Sequence, residues 1–248
     1  MYKCLIFILL STITFSCNLF TTTSENIEVK NDLIYLKGTE KLFTGKVLDK
    51  YKNGSKSILY NYKDGKKDGK SMAWYEDGTK EYDGQYINGL KNGEFKGWYK
   101  NGLLAATRNY KNSIENGKWI IYYENGNLKE TGTYINGKKE SVWLWKYENN
   151  QKLIKINFKN DKENGIWHAW HENGQLREEV ECQNGKREGI WQEWNNKGQL
   201  ILKGLYSQGQ EEGNWYAWYD SGKPKFERLY KSGEKIYEQK WDEKGNPK

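Results

Sequence analysis

Residues 117–134 read GKWIIYYENGNLKETGTY, and this stretch decides the fold. Aromatic and β-branched residues lead into Asn125-Gly126, after which the chain returns to Tyr134. An Asn-Gly pair between two such runs predicts a hairpin with a two-residue type I′ turn, because both residues accept a positive φ. The later pair Asn136-Gly137 predicts a longer connection to the next unit, in which Gly takes a positive-φ or bulge position.

The same pattern recurs every 24 residues along most of the chain. We call one of its glycine columns, which has Asn150 in its one gap, the turn glycines: Gly54, Gly78, Gly102, Gly126, Gly174, Gly198 and Gly222. One hairpin is marginal in water, but stacked hairpins bury a continuous apolar core between neighbours. The predicted fold is therefore all-β, an elongated antiparallel meander of about eight 24-residue β-hairpin repeats.

Two aromatic columns are expected to point to opposite faces of this sheet, because side chains alternate along a strand. The columns that contain Trp119 and Tyr134 are the predicted core. The column that contains Tyr122 alternates to the other face and includes a lysine, Lys146. Its aromatic members form a candidate exposed binding ladder, since Trp and Tyr are enriched at interfaces: Trp74, Trp98, Tyr122, Trp170, Trp194 and Trp218.

The first residues have the features of an export signal and are left out of the fold. Lys3 is followed by an apolar run over 5–13, which is too short to span a bilayer. Thr14-Phe15-Ser16-Cys17 resembles the lipobox of bacterial lipoproteins, although that motif prefers Leu where Thr14 stands. The resemblance implies cleavage before Cys17 and lipidation of its thiol. The alternative is an ordinary secretory signal followed by a free cysteine.

Three segments follow from these patterns. Residues 1–16 are predicted to be a lipoprotein signal peptide, and residues 17–31 a lipidated N-terminal tether without apolar periodicity. Residues 32–248 are predicted to form the repeat domain.

Composition excludes several classes of protein. The 248 residues include 26 Gly, only 2 Pro and 29% charged residues, with a mean hydropathy of −1.03. These values argue against collagen, Pro-rich disorder and a multi-span membrane protein. The net charge is +7, but bases and acids are interspersed, so the single-sign stripe of a nucleic-acid binder is missing from the sequence. We therefore expect no nucleic-acid partner.

The sequence contains few candidates for catalytic or metal-binding residues. The two histidines, His168 and His171, are three residues apart, so on a strand they point to opposite faces and are poorly placed to share a metal. Cys182 occupies a position that is Tyr or Phe in other repeats and is expected to be a buried apolar residue. Carboxylates such as Glu124 and Glu140 recur with the period and are expected to serve each turn. We predict no catalytic residue, no metal and no cofactor, and therefore no enzyme.

The repeat unit resembles a known family. Its pattern is Gly-x-Trp-x-x-Trp/Tyr-Tyr-Glu-Asn-Gly-x-Leu, followed by Tyr-x-Asn-Gly-Lys-x-x-Gly. This is similar to the bacterial MORN repeat variant, a family often labelled the antitoxin component of a toxin–antitoxin system, and the resemblance covers nearly all of residues 32–248. It implies MORN-like hairpins but does not fix an activity. Two units depart from the pattern. Ser141, Asn150 and Asp161 replace the glycines of one, the other contains Ser113, and we expect altered turns in both.

Together these features predict an exported, membrane-anchored lipoprotein of a bacterial cell envelope, held at the membrane through Cys17. Its MORN-like repeats are expected to form a non-enzymatic binding scaffold for another macromolecule, with a protein partner favoured over cell-wall glycan or anionic lipid. The family label raises an alternative, an antitoxin or immunity-like protein that neutralises a toxin. Because an exported chain cannot neutralise a toxin in the cytosol, such a toxin would act in the envelope or outside the cell.

Overall fold

The computed structural model describes residues 20–248, and almost every regular element in that range is a strand. One short 3-10 turn, Ser24–Asn26, precedes β2. The strands are β1 (Thr21–Thr22), β2 (Ile27–Lys30), β3 (Leu33–Leu36), β4 (Gly45–Lys50), β5 (Lys56–Lys63), β6 (Lys66–Trp74), β7 (Lys80–Ile87), β8 (Leu90–Lys91), β9 (Gly93–Trp98), β10 (Leu104–Lys111), β11 (Ile114–Tyr122), β12 (Leu128–Ile135), β13 (Lys138–Lys146), β14 (Lys152–Lys159), β15 (Lys162–Glu163), β16 (Gly165–Trp170), β17 (Leu176–Gln183), β18 (Lys186–Trp194), β19 (Leu200–Ser207), β20 (Gln210–Trp218), β21 (Pro224–Lys231) and β22 (Glu234–Lys240).

These strands confirm the predicted all-β meander. From β4 to β22 the long strands pair antiparallel in chain order in one sheet. The short strands β8 and β15 pair with β7 and β14, which also pair with β9 and β16. The repeat of about 24 residues supplies two long strands each time. No helix within residues 20–248 combines the length and the apolar composition needed to cross a membrane.

The N-terminal end of the sheet is covered by the segment that precedes the repeats. Thr22 is buried and pairs in parallel with Val47 of β4. The Lys46 amide donates to the Phe20 carbonyl at 2.7 Å. β2 and β3 form a separate two-stranded sheet. The described part of the expected tether, residues 20–31, therefore supplies partners to the outer edge of β4, whereas the signal segment 1–16 and Cys17 lie outside the described residues.

The two kinds of turn are the reverse of the sequence prediction. In the loop at Asn125-Gly126 only Gly126 has a positive φ, 86°. The Tyr123 amide donates to Asn127 O at 2.8 Å and the Gly126 amide donates to Tyr123 O at 2.9 Å, which is a three-residue loop with glycine in the left-handed position. The type I′ prediction was therefore wrong at this loop. Asn125 is used for its side chain, whose Oδ1 accepts from the Asn127 amide.

The two-residue turn lies instead at Asn136-Gly137, where the sequence predicted a longer connection. Both residues have a positive φ, 50° and 79°, and the flanking pair Ile135 and Lys138 is in register. These are the features of a type I′ turn. Asn-Gly pairs close both ends of a hairpin here, so the dipeptide alone did not reveal the loop length.

Both departing units keep the geometry of the others, so the expectation of altered turns was wrong. Ser113 has a φ of 65°, and its amide donates to Lys91 O at 2.9 Å, as the glycine amides do at the same position of other repeats. Ser141, Asn150 and Asp161 adopt φ of 60°, 70° and 65°, in the positions that glycines take elsewhere. The Asn150 amide donates to Tyr147 O at 3.0 Å, like its glycine counterparts. Asn and Asp tolerate this left-handed region better than other non-glycine residues.

The core lies in the two predicted aromatic columns, on one face of the sheet. Trp143 is fully buried, and Phe95 and Trp215 are 4% and 5% exposed. Tyr134 meets Trp143 edge to face, with ring centroids 4.9 Å apart, a geometry that aromatic pairs favour. We call this face the cluster face, and the opposite one, which carries Trp170, the ladder face.

Candidate functional site

The ladder residues lie on the ladder face, at the strand ends next to the three-residue loops. Alternation along β16 places Trp170 on the face opposite to Trp167. All six predicted ladder rings are partly buried rather than freely exposed. The ladder is therefore a row of partly covered aromatic rings.

Neighbouring side chains cover part of several ladder rings. Lys56, Lys80 and Lys152 place their ammonium groups 5.6, 5.0 and 5.2 Å from the ring centroids of Trp74, Trp98 and Trp170. These distances are within the range of cation–π attraction. Lys146, the lysine of this column, donates to Asn150 Oδ1 at 2.8 Å. Three ladder rings thus have a lysine ammonium group over them, and that of Lys80 is also paired with Asp83 at 2.9 Å.

A line of hydrogen bonds joins each repeat to the next behind the ladder. The residue after one ladder position donates its side-chain proton to the carbonyl oxygen of the following ladder position at 2.7–2.9 Å: Tyr51 to Trp74, Tyr75 to Trp98, Tyr99 to Tyr122, Tyr123 to Lys146, Tyr147 to Trp170 and His171 to Trp194. In His171 the donor is Nε2–H, so this histidine replaces a tyrosine hydroxyl. The spacing of the ladder is fixed by these bonds.

The turn glycines lie in the same loops, with φ between 79° and 88°. The asparagine side chains directly before this position connect neighbouring loops: Asn101 Nδ2 donates to Glu124 O at 2.8 Å and Asn149 Nδ2 donates to Glu172 O at 2.9 Å. The repeated Asn-Gly pair therefore serves two structural needs, a left-handed backbone and a bond to the next loop.

Five segments match the family model described as MORN repeat variant. They are residues 91–112, 115–136, 139–160, 163–184 and 211–232. No curated protein matches the chain. The MORN-variant segments coincide with the central and C-terminal hairpins. The hairpins before residue 91 and between residues 185 and 210 have the same strand pairing. Tyr51 and Tyr75 make the tyrosine bond in the earlier hairpins, whereas Asn195 stands at this position in the later one and donates to Gln199 Oε1 and Asp220 Oδ1.

Carboxylates that recur in the MORN-variant segments serve the type I′ turns. The Asn160 amide donates to Glu140 Oε1 at 2.9 Å, and the Ser232 amide donates to Glu212 Oε2 at 2.7 Å. Each acceptor lies 20 residues before its donor. These acids therefore hold one turn of the following repeat, as the sequence analysis expected.

The remaining reactive side chains are held in packing contacts. His168 stacks on Trp170 with ring centroids 5.5 Å apart, and its Nε2 lies 3.0 Å from Glu179 Oε2. Cys182 is 3% exposed, and burial is the main cause that raises the pKa of its thiol to about 11. Within residues 20–248, no group of three or more His, Cys, Asp and Glu side chains is placed to hold a metal ion.

The cluster face also contains one acid in an unfavourable environment. Burial, followed by the nearby Glu178 carboxylate, raises the pKa of Glu193 above its usual value. The two glutamates are cross-strand partners on β17 and β18. Glu178 is compensated, because it accepts from Trp191 Nε1 at 2.9 Å and lies 3.7 Å from Arg187.

A second surface of the ladder face was missed by the sequence analysis. Val142, Ile166 and Ile190 occupy the same position in three consecutive repeats and are 49%, 53% and 54% exposed. We call these three residues the apolar stripe. The corresponding residues of earlier repeats are charged: Lys46, Lys70, Glu94 and Lys118. This change from charged to apolar within one column is the signal in the sequence that identifies the stripe.

Proposed function

We propose that this chain is a non-enzymatic envelope lipoprotein whose repeats form a binding scaffold for another macromolecule, with a protein as the favoured partner. The observation that carries this proposal is the ladder itself. Aromatic rings stand at a fixed spacing along one face, and hydrogen bonds between repeats hold them there. Rigid aromatic anchors lose little conformational entropy on binding, which is why they dominate many interfaces. MORN repeats are typically such scaffolds.

The recurrent use of polar groups supports a role without catalysis. Carboxylates such as Glu140 hold turns, and His171 bonds a backbone carbonyl. Catalysis by paired carboxylates would need one distinct pair, differing from the other repeats, beside a cleft. The groups of this chain repeat instead with the fold.

The lysines over the ladder favour a protein over a glycan. Sugars bind aromatic residues by lying flat on an open ring face, but Lys56 and Lys80 occupy positions over Trp74 and Trp98. A protein partner can use the ring edges and can place acidic side chains near these lysines, as charged groups do at the rim of interfaces. The immunity-like reading fits the same surface, with an envelope or secreted toxin as the partner.

Anchoring is tested by the lipid at Cys17. We expect the native protein to carry the mass of a diacylglycerol group and to sediment with membranes, and Cys17→Ala to lose both. Cys182→Ala is the matched control, because that thiol is buried and should not affect lipidation. An unmodified wild-type chain in the cytosol would overturn the envelope assignment and favour a cytosolic antitoxin.

Partner binding is tested at the N-terminal part of the ladder. Trp98→Lys places in this repeat the residue that the column already carries at Lys146, so the fold should tolerate it. We expect crosslinking in cells to recover a protein partner with the wild type and at least about tenfold less with Trp74→Lys/Trp98→Lys, since buried Trp anchors are often worth ~2 kcal/mol or more. Ile114→Lys, at an exposed apolar residue off the ladder, is the control. Unchanged crosslinking, or capture of purified cell-wall glycan without any protein, would contradict the proposal.

A further inference from the structure

The apolar stripe has the arrangement of a self-complementary surface. Val142, Ile166 and Ile190 lie on β13, β16 and β18, so neighbours are two strands or about 10 Å apart. In this part of the sheet the order of strands is β13, β14, β16, β17 and β18. Ile166 is therefore at the centre, with Val142 and Ile190 at equal distances on either side.

Opposite charges flank the same centre. Lys155 on β14 is in register with His168 on β16, and His168 is in register with Glu179 on β17. His168 is two residues after Ile166 on the same strand, so its side chain points to the same face, the ladder face. Lys155 and Glu179 are the direct cross-strand partners of His168, so their side chains point to that face as well. Lys155 is exposed and the Glu179 side chain is 38% exposed. A basic and an acidic group thus stand one strand to each side of β16.

We propose that this part of the ladder face packs against the same part of a second copy of the chain. The two-fold axis runs parallel to β16, midway between the two packed faces. Such a rotation exchanges β13 with β18 and β14 with β17 and keeps each position along the strands. Ile166 then meets Ile166 of the second copy, and Val142 meets Ile190 of the second copy. Lys155 meets Glu179 of the second copy. Contacts of this reciprocal kind define an isologous dimer interface.

The charges select this axis over its neighbours. An axis along β14 would oppose Lys155 to its own copy, and an axis along β17 would oppose Glu179 to its own copy. Like charges placed directly opposite each other in an interface are strongly unfavourable. An axis along β18 would place Ile166 against Asn214, a polar residue. The axis along β16 pairs apolar with apolar at Ile166 and Val142 and basic with acidic at Lys155, and it places His168 against its own copy.

The ladder agrees with the same arrangement. Lys146 on β13 and Trp194 on β18 are exchanged by this axis, so the one lysine of the column meets an aromatic ring of the second copy. Lysine over indole is a favourable pair. Twisted sheets that pack face to face cross at about 30° and separate away from the crossing. Trp74 and Trp98 therefore stay free for another partner, and the proposal does not rest on the proposed function.

Charge reversal gives a test that only self-association passes. We expect the full chain carrying Cys17→Ala to be a dimer in sedimentation velocity. Lys155→Glu alone and Glu179→Lys alone should each raise the dimer dissociation constant at least about tenfold, because each places like charges opposite each other twice per dimer. An equimolar mixture of the two variants should dimerise again, since every pair is then of opposite charge. Lys203→Glu, on the same face outside the patch, is the matched control.

A second measurement locates the axis. In chains with Cys4→Ala, Cys17→Ala and Cys182→Ala, Ile166→Cys should form a covalent dimer with a short bismaleimide, whereas Ile114→Cys, similarly exposed, should not. A monomer at all concentrations, single charge variants that dimerise like the wild type, or a mixture that stays monomeric would overturn the proposal. A different protein crosslinked to the apolar stripe of a monomeric chain would overturn it as well.

Discussion

The indole ring of Trp143 lies against Gly132 on the neighbouring strand, in the space where any other residue would carry its Cβ. The same relationship joins Phe95 to Gly84 and Trp215 to Gly204. These three rings are among the most buried of the molecule. A glycine on one strand therefore leaves room for a large ring on the next strand to pack directly against the backbone.

Gly132→Ala is expected to destabilise the protein by about 1–3 kcal/mol, because the new methyl group forces the fully buried indole out of its position. The midpoint of urea unfolding, followed by tryptophan fluorescence, measures this effect. Thr133→Ala, on the adjacent residue, is the control and should have a smaller effect. In a Trp143→Ala background the cost of Gly132→Ala should nearly vanish, and an undiminished cost there would show that the ring is not its cause.

Tyr123→Phe is expected to lower stability by about 1 kcal/mol, because it removes one hydrogen bond between neighbouring repeats. Its hydroxyl donates to Lys146 O at 2.8 Å. Tyr122→Phe is a matched control on the adjacent residue, whose ring belongs to the ladder. Equal effects of the two substitutions in urea unfolding would contradict a specific role for the bond from Tyr123.

Much of the fold could be predicted because each structural position is repeated. The period of 24 residues and the alternation of aromatic residues identified the strands, the faces and the core columns. The turn types could not be assigned, because both Asn125-Gly126 and Asn136-Gly137 fit a two-residue turn. Only the pairing around them, Tyr123 with Asn127 and Ile135 with Lys138, separates a three-residue loop from a two-residue one.

The features that differ between repeats were the ones missed. Gly132 has counterparts at only some positions of its column, so its role depends on the ring that the next strand provides. The apolar stripe is likewise confined to Val142, Ile166 and Ile190. The exposure of the ladder rings could not be predicted from the sequence either, because the lysine that covers a ring, such as Lys152 over Trp170, belongs to a different strand.

Cys182 is expected to react slowly with alkylating reagents while the protein is folded. Its pKa of about 11, against an ordinary value of 9.0, lowers the thiolate fraction at pH 8 by about a hundredfold. The rate of iodoacetamide labelling, measured by mass spectrometry on a chain with Cys4→Ala and Cys17→Ala, checks this. The same chain in denaturing urea is the control and should be labelled rapidly. Rapid labelling of the folded chain would contradict a buried thiol.

Stability is expected to depend on the protonation of Glu193. Because its pKa is raised in the folded state, the folded protein binds the proton more tightly than the unfolded chain, whose ordinary value is 4.5. The free energy of unfolding therefore falls as pH rises from 4.5 through the raised folded value and stays lower above it. Glu193→Gln removes this cost and should raise the melting temperature at pH 7 by about 2 °C.

The gain from Glu193→Gln should disappear below pH 4, where the carboxyl group of the wild type is protonated in both states. Circular dichroism melts at pH 3.5 and pH 7 provide the comparison. Glu181→Gln, at an exposed acid on the neighbouring strand β17, is the matched control and should leave the melting temperature nearly unchanged at both pH values. A gain that persists at pH 3.5 would mean that the amide improves packing, and that repulsion from Glu178 and burial of a charge are not the cause.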